Sequence, residues 1–486
     1  MRNRRHPPEQ PRINRRGHVS RTLAGRLRDF VDDFAHSSPS RFAVLVFTSI
    51  IMLWTLLLTL PISSASGHGT PFHEALFTAV STICVTGLSI VDMSTHWSPF
   101  GHAVVFVGLE VGAVGVLTLA SIMGAIVARR LGLRQKLMAA SDSNPMRIHA
   151  GPVSESQAIR LGEIGGMLVT VAVSLLIIET VIALLIIPRL LFAGFDLGTA
   201  IIDGFYYSAS AFTNTGFTPN PDGLEPFKND LWMLGCLAAA VFAGSLGFPV
   251  IFALVRWVRH RQRFSVHVKM TLVTTVALFL VGWLVLYLLE ADNPETIGAF
   301  HPLMRPFQAG FLSAMTRSGG FSTIPIDETE GATMLVLDML MFVGGGSAST
   351  AGGIKVTTLA ILFLAAFAEA KGVNDMQAFG RRIPGDVLRL AVSVSLWGAT
   401  IVSVSAILLM HFADAPFSHA LFESISAFAT CGLSSGLTQQ LPVEGTYILT
   451  ATMWLGRVGT VTMAAALASS EHKQLYRLPE ERIIVG

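Results

Sequence analysis

Four short stretches of this chain pair small hydroxyl residues with a glycine and then Leu or Phe. They are Ser81-Thr-Ile-Cys-Val-Thr-Gly-Leu88, Ser208-Ala-Ser-Ala-Phe-Thr-Asn-Thr-Gly-Phe217, Ser313-Ala-Met-Thr-Arg-Ser-Gly-Gly-Phe321 and Ser426-Ala-Phe-Ala-Thr-Cys-Gly-Leu433. Glycine reaches backbone angles closed to other residues, so a short loop around it can turn successive carbonyls toward one axis and leave that axis open. Four such loops about an axis would form a ring of oxygens able to replace the hydration shell of a monovalent cation. One copy alone reads equally well as a glycine turn between two membrane helices. Gly87, Gly216, Gly320 and Gly432 recur at spacings of 129, 104 and 112 residues, which reads as an internal fourfold repeat.

Such loops need elements to hold them, and composition says where those elements lie. Of 486 residues, 51% are hydrophobic and 14% are charged, against about 25% charged in an average soluble domain. That is too little charge to cover a water-facing globule, and the chain reads as an all-α polytopic membrane protein. Candidate spans come in pairs: 42–60 with 100–127, 164–187 with 231–255, 270–289 with 332–368, and 386–412 with 447–469. Between the members of each pair lies a less apolar segment that ends in the glycine motif and is too short to cross a bilayer, so a re-entrant half-helix is expected. The expected fold is four pseudo-repeats of helix, pore helix, filter loop and helix around one central pore. The repeats occupy 42–127, 164–255, 270–368 and 386–469, with a basic tail over 1–41 and a second tail over 470–486. The pore helices would aim their partially negative C-terminal ends at the ring.

Charge placement orients this plan. Of the 34 Lys and Arg, 28 fall in the two tails and in the segments 129–160, 256–269 and 371–389. Arg189, Lys228, Arg305 and Arg317 fall on the other side, while Lys355 and Arg457 lie within spans. The asymmetry places both termini in the cytoplasm and all four glycine motifs on the outside. The outer segments carry acids, among them Glu74, Asp92, Asp203, Asp222, Glu225, Asp292 and Glu328, which would raise local cation concentration. Cys84, Cys236 and Cys431 cannot all pair, the 14 histidines show no metal-ligand spacing, and no phosphate-binding glycine fingerprint occurs. Neither a cofactor in the chain nor an enzymatic activity is expected, and nothing suggests nucleic acid as a partner.

A second glycine-rich element interrupts the span 332–368. Gly344, Gly345, Gly346, Ser347, Ser349, Thr350, Gly352 and Gly353 crowd into ten residues just before Lys355. A helix is not expected to survive that composition, and irregular backbone at this depth is tolerated where it lines a wet cavity. Tight helix packing through small residues is the alternative. Arg457 stands in Trp454-Leu-Gly-Arg-Val-Gly-Thr460, where it could pair with an acid or with the glycine-rich element. Related glycine patches open other second helices at Gly112-Ala-Val-Gly115 and Gly244-Ser-Leu-Gly247, Glu110 precedes the first of them, and Pro249 is expected to kink its helix.

These motifs resemble the Trk/Ktr/HKT superfamily of potassium and sodium uptake proteins, most closely its bacterial Ktr-type membrane subunit, from about residue 42 to the C-terminus. The resemblance implies K⁺ uptake across a bacterial plasma (inner) membrane. Its selectivity filter would be built from Val85-Thr86-Gly87, Asn214-Thr215-Gly216, Ser318-Gly319-Gly320 and Thr430-Cys431-Gly432. Glycine rather than a hydroxyl residue at position 87 implies preference for K⁺ over Na⁺. The glycine-rich element resembles an intramembrane gating loop, with Lys355 and Arg457 beside it. A homodimer, a cytosolic ring of nucleotide-binding regulatory subunits, contact with membrane lipids and Na⁺ as an activator are further implications. The rival reading is a secondary transporter of another monovalent cation or small solute, which would use inverted repeats.

Overall fold

The computed structural model describes residues 39–115, 164–261, 263–373 and 375–469. The two expected tails, the basic segment 129–160 and the second half of the span 100–127 therefore lie essentially outside the described residues.

The helices follow one another in four sets. The first holds α1 (Pro39–Thr59), α2 (Phe72–Ile83) and α3 (Pro99–Ala113). The second holds α4 (Ile164–Phe192), α5 (Leu197–Phe212), α6 (Leu231–Leu246) and α7 (Phe248–His260). In the third are α8 (Val266–Glu290), α9 (Arg305–Met315), α10 (Gly331–Phe342) and α11 (Val356–Ala370). The fourth comprises α12 (Gly385–Phe412), α13 (Phe417–Phe428) and α14 (Val443–Ser469). Before α12, β1 (Gln377–Ala378) and β2 (Arg381–Arg382) pair as a small antiparallel hairpin.

Local chemistry sets the helix starts. Ser98 accepts from Gly101 N ahead of Pro99, Asp196 from Thr199 N, Asp230 from Trp232 N and Met233 N, and Ser265 from Val268 N. Each satisfies an amide that the helix itself leaves unpaired. Three helical segments, Val171–Phe192, Val266–Glu290 and Val387–Phe412, are long and apolar enough by length and composition to cross a membrane. They expose Val181, Leu184, Val281, Leu284, Leu396 and Ile407 outward. A helix whose exposed face is apolar is stable where that face meets lipid.

The short helices α2, α5, α9 and α13 are the buried ones: α5 is covered from Asp203 to Phe212 except Phe205, and α9 from Gln308 onward. Each packs on the long helix before it. Serine hydroxyls tie three of them there, Ser208 to Glu179 O, Ser313 to Phe279 O and Ser424 to Ser405 Oγ. The helix that follows each short helix then packs on the short helix of the next set, with α3 on α5, α6 on α9 and α10 on α13. The cycle closes as α14 returns to α2.

Two spans are broken. Between α10 and α11, residues 343–355 leave the helix, as their glycines require. Between α6 and α7 the axis turns by 103°, and the turn sits at Gly247 (φ 86, ψ 149) rather than at Pro249, which occupies the first helical turn of α7. Proline is at ease in a first turn because the amide it lacks would be unpaired there anyway. Gly247 φ/ψ is open essentially to glycine alone, and a Cβ there would lie 2.7 Å from Ser347 O. Gly247→Ala should therefore destabilise the protein by about 1–3 kcal/mol, read as a lower unfolding midpoint in detergent; a wild-type midpoint would show that the bend tolerates a side chain.

Candidate functional site: four glycine loops and an intramembrane loop

The short helices deliver four loops with the same pair of left-handed positions. Val85, Asn214, Ser318 and Thr430 have φ of 57°, 63°, 74° and 46°, and the glycines two residues later have φ of 91°, 87°, 70° and 90°. In three copies the loop opens as a helix C-cap with paired reverse bonds. Thr86 N donates to Ser81 O (2.7 Å) and Val85 N to Thr82 O (3.1 Å); Thr215, Asn214, Cys431 and Thr430 repeat the pattern. Left-handed residues in this motif are usually glycine. Here three of the four positions carry polar side chains, and the fourth, Val85, is fully buried.

Each glycine then faces the loop of the next set. A Cβ on Gly216 would lie 2.7 Å from Gly319 O, and one on Gly320 would lie 2.8 Å from Thr215 O and 3.0 Å from Cys431 O. Side chains at Gly87 and Gly432 would collide with Thr215 O and Thr86 O. The four facing oxygens all belong to the residue just before a glycine, and Gly320 and Gly432 also meet Thr215 O of the second set, so the four loops converge on one place. Gly87, Gly216, Gly320 and Gly432 are each partly open, while the two residues before each are buried.

Aligning the chain on these glycines shows what the sequence reading missed. Six residues before the glycine stand Ser81, Ser210, Ala314 and Ser426. Ser81 Oγ donates to Leu88 O (2.7 Å) and accepts from Gly87 N (3.1 Å), Ser210 Oγ donates to Phe217 O (2.7 Å), and Ser426 Oγ accepts from Gly432 N (3.2 Å). The third copy has no hydroxyl there and is wound differently, with Gly319 N donating to Met315 O (2.7 Å). Arg317, expected on the outer side, is fully buried behind this copy and donates to Leu340 O. Asp203 is likewise buried within α5 rather than set in an outer segment. Asp92 is exposed between α2 and α3; partial burial works to raise its pKa, but bonds from Ser94 and Thr95 outweigh this and hold the carboxyl below its usual range.

Residues 343–355 form the second part of the site. Gly344 N donates to Ile354 O (2.8 Å) and Val356 N to Gly345 O (3.1 Å), so the two ends of the loop are stapled together. Its middle borrows partners from broken helix ends, as Gly346 N donates to Ser245 O (2.7 Å) and Ala348 O accepts from Phe248 N (3.3 Å). Lys355 Nζ closes the far side on Ala351 O (2.6 Å), and the hydroxyls of Ser347 and Thr357 meet at 3.1 Å. Gly352 and Gly353 press on Thr430 and Ala429 so closely that a side chain at Gly352 would strike Thr430 Oγ1. Arg457 spans two sets, donating to Thr350 O in the loop and to Gly112 O (3.0 Å) at the end of α3. Glu110 lies against Glu179 of α4. The loop thus lies directly on the helix-side end of the glycine loops, in contact with the second and fourth.

Comparison with known proteins agrees with this geometry. The TrkH family, described as cation transport proteins, matches residues 32–475. The Ktr system potassium uptake protein B of Vibrio alginolyticus is 31% identical over 455 residues, covering 93% of this chain and 96% of its own. The protein of the same name in Bacillus subtilis is 29% identical, with 94% and 99% covered. The potassium/sodium uptake protein NtpJ of Enterococcus hirae is also 29% identical, with 92% and 97% covered. Among solved structures, the potassium transporter TrkH from Vibrio parahaemolyticus superposes with a TM-score of 0.65 at 17% identity, over 86% of this chain and 83% of that one. With nearly the whole length matched, the chain belongs to the TrkH family of cation transport proteins.

Proposed function

We propose that this chain carries K⁺ into a bacterial cell through an axis lined by the four glycine loops. The observation that carries the reading is the convergence of four glycines on the carbonyls of neighbouring loops, which brings four chemically similar backbone segments to one place. The filter is formed by Val85-Thr86-Gly87, Asn214-Thr215-Gly216, Ser318-Gly319-Gly320 and Thr430-Cys431-Gly432. Carbonyls turned inward replace the hydration shell of the ion, and the C-terminal ends of α2, α5, α9 and α13 add partial negative charge beside it. Two of the quoted relatives are named potassium uptake proteins and a third a potassium/sodium uptake protein, which supports the ion class. On this reading Gly87 sets the preference for K⁺, and Na⁺ acts as an activator.

Residues 344–353 are the gate. They lie under the filter, held by Lys355 and Arg457, and ions pass when they move aside. Both termini are cytoplasmic, the protein pairs as a homodimer, and a ring of nucleotide-binding regulatory subunits acts on the cytosolic face. Expression in cells lacking K⁺ uptake, with and without such a regulator, tests the whole proposal: growth at low K⁺ is expected, and no growth by correctly inserted protein in either case would overturn it.

Two substitutions test the parts in vesicles. Gly216→Ser places a Cβ against Gly320 at a left-handed position and should lower the ratio of Rb⁺ to Na⁺ uptake; an unchanged ratio would remove Gly216 from the filter. Shortening the loop between Gly344 and Gly353 should raise K⁺ flux, and equal or lower flux at normal expression would show that the loop is no gate.

A further inference from the structure

The side chain of Asn214 reaches out of its own loop in three directions. Its Nδ2 donates to Arg317 O (3.0 Å), next to the third glycine loop, and to Val241 O (3.2 Å) on α6, while its Oδ1 accepts from Thr350 Oγ1 (3.1 Å) in the intramembrane loop. Two carbonyls can only accept, so the amide nitrogen must face them and the oxygen must face Thr350. The group is fully buried, and the absence of a side chain at Gly244 is what leaves space for its Oδ1. The equivalent residues do something else. Val85 has no polar side-chain atom, Ser318 Oγ donates to Thr430 O, and Thr430 Oγ1 packs beside Gly352 without a hydrogen-bond partner.

Thr350 in turn is held from two sides, its hydroxyl shared between Asn214 Oδ1 (3.1 Å) and, at 3.4 Å, Phe212 O, and its carbonyl by Arg457. A chain of direct contacts thus runs from α14 through the intramembrane loop to the second glycine loop and on to the third. Resting on the filter and gate readings above, we propose that Asn214 is a positioning residue through which the intramembrane loop sets the shape of the filter, so that displacing the loop changes ion discrimination as well as flux. When Thr350 leaves, Oδ1 loses its donor in a buried site, and the amide that braces the second and third loops must find another arrangement.

The test compares the ratio of Rb⁺ to Na⁺ uptake with total uptake, using full-length protein in vesicles. Thr350→Val keeps the shape and removes the hydroxyl; it should lower the ratio about threefold, the scale of one net hydrogen bond. Thr350→Ser should restore the wild-type ratio. Asn214→Asp keeps a residue type tolerant of the left-handed conformation but exchanges the donor pair for an acceptor, and adding Thr350→Val to it should lower the ratio no further. A Thr350→Val protein with altered total uptake and a wild-type ratio overturns the proposal, as does independent action of the two substitutions. If Thr350→Val does not reach the membrane, Thr350→Ala reads the same ratio. Failure of the gate reading shows separately, as unchanged total uptake on loop shortening, and failure of the filter reading as an unchanged ratio in Gly216→Ser.

Discussion

The close approach of each glycine to the carbonyl of the next loop is the constraint on which the remaining architecture depends. At Gly87 and Gly432 there is no volume for a methyl group, so the four loops are held at a separation that only bare backbone permits. Such proximity has to be imposed largely from outside, because neighbouring carbonyl dipoles repel and, among the described residues, only the side chains of Asn214 and Ser318 are seen to donate from one loop to the next. The burial of α2, α5, α9 and α13, and the serine tethers of the last three to the preceding helices, supply that imposition. The helix after each short helix packs on the short helix of the next set, so each loop is supported from a neighbouring set.

The four copies are alike in backbone and unlike in chemistry. Serine six residues before the glycine stabilises three loops, whereas the third has Ala314, a helix ending one residue sooner, and a buried arginine behind it. That arginine has two guanidinium nitrogens without hydrogen-bond partners, an arrangement that costs free energy in a dry interior. Its carbonyl is the one that Asn214 grips. The departure from symmetry in the third copy and the reach of the second therefore meet at a single contact.

Much of this was legible in the sequence, for identifiable reasons. Glycine positions, hydrophobic lengths and charge asymmetry are one-dimensional properties, and they were sufficient to mark the spans, the short helices between them and the break at 344–353. The bend after α6 was assigned to Pro249 because proline is a strong local signal. The structure puts it at Gly247, since proline fits a first turn without strain and only the glycine can adopt the angles of the junction. Arg317 was read as an outer charge from its place in the chain order; nothing local distinguishes an arginine folded inward behind a loop from one facing solvent. The serines at 81, 210 and 426 could have been found by aligning on the glycines instead of on the first hydroxyl of each motif. Contacts such as Thr350 with Asn214 join residues 136 positions apart, and no pattern along the chain encodes them.

The loop 343–355 shows how irregular backbone among packed helices finds its hydrogen-bond partners. It is held partly by carbonyls left over at helix ends: Ser245 O beside the Gly247 bend accepts from Gly346 N, and Phe212 O at the end of α5 accepts from the Thr350 hydroxyl. Those carbonyls have no helical partner of their own to return to. Moving the loop aside therefore exposes acceptors on both the loop and the helix ends, and the displaced arrangement is stable only if water reaches them. A conformation without the loop beneath the glycines is consequently a hydrated one.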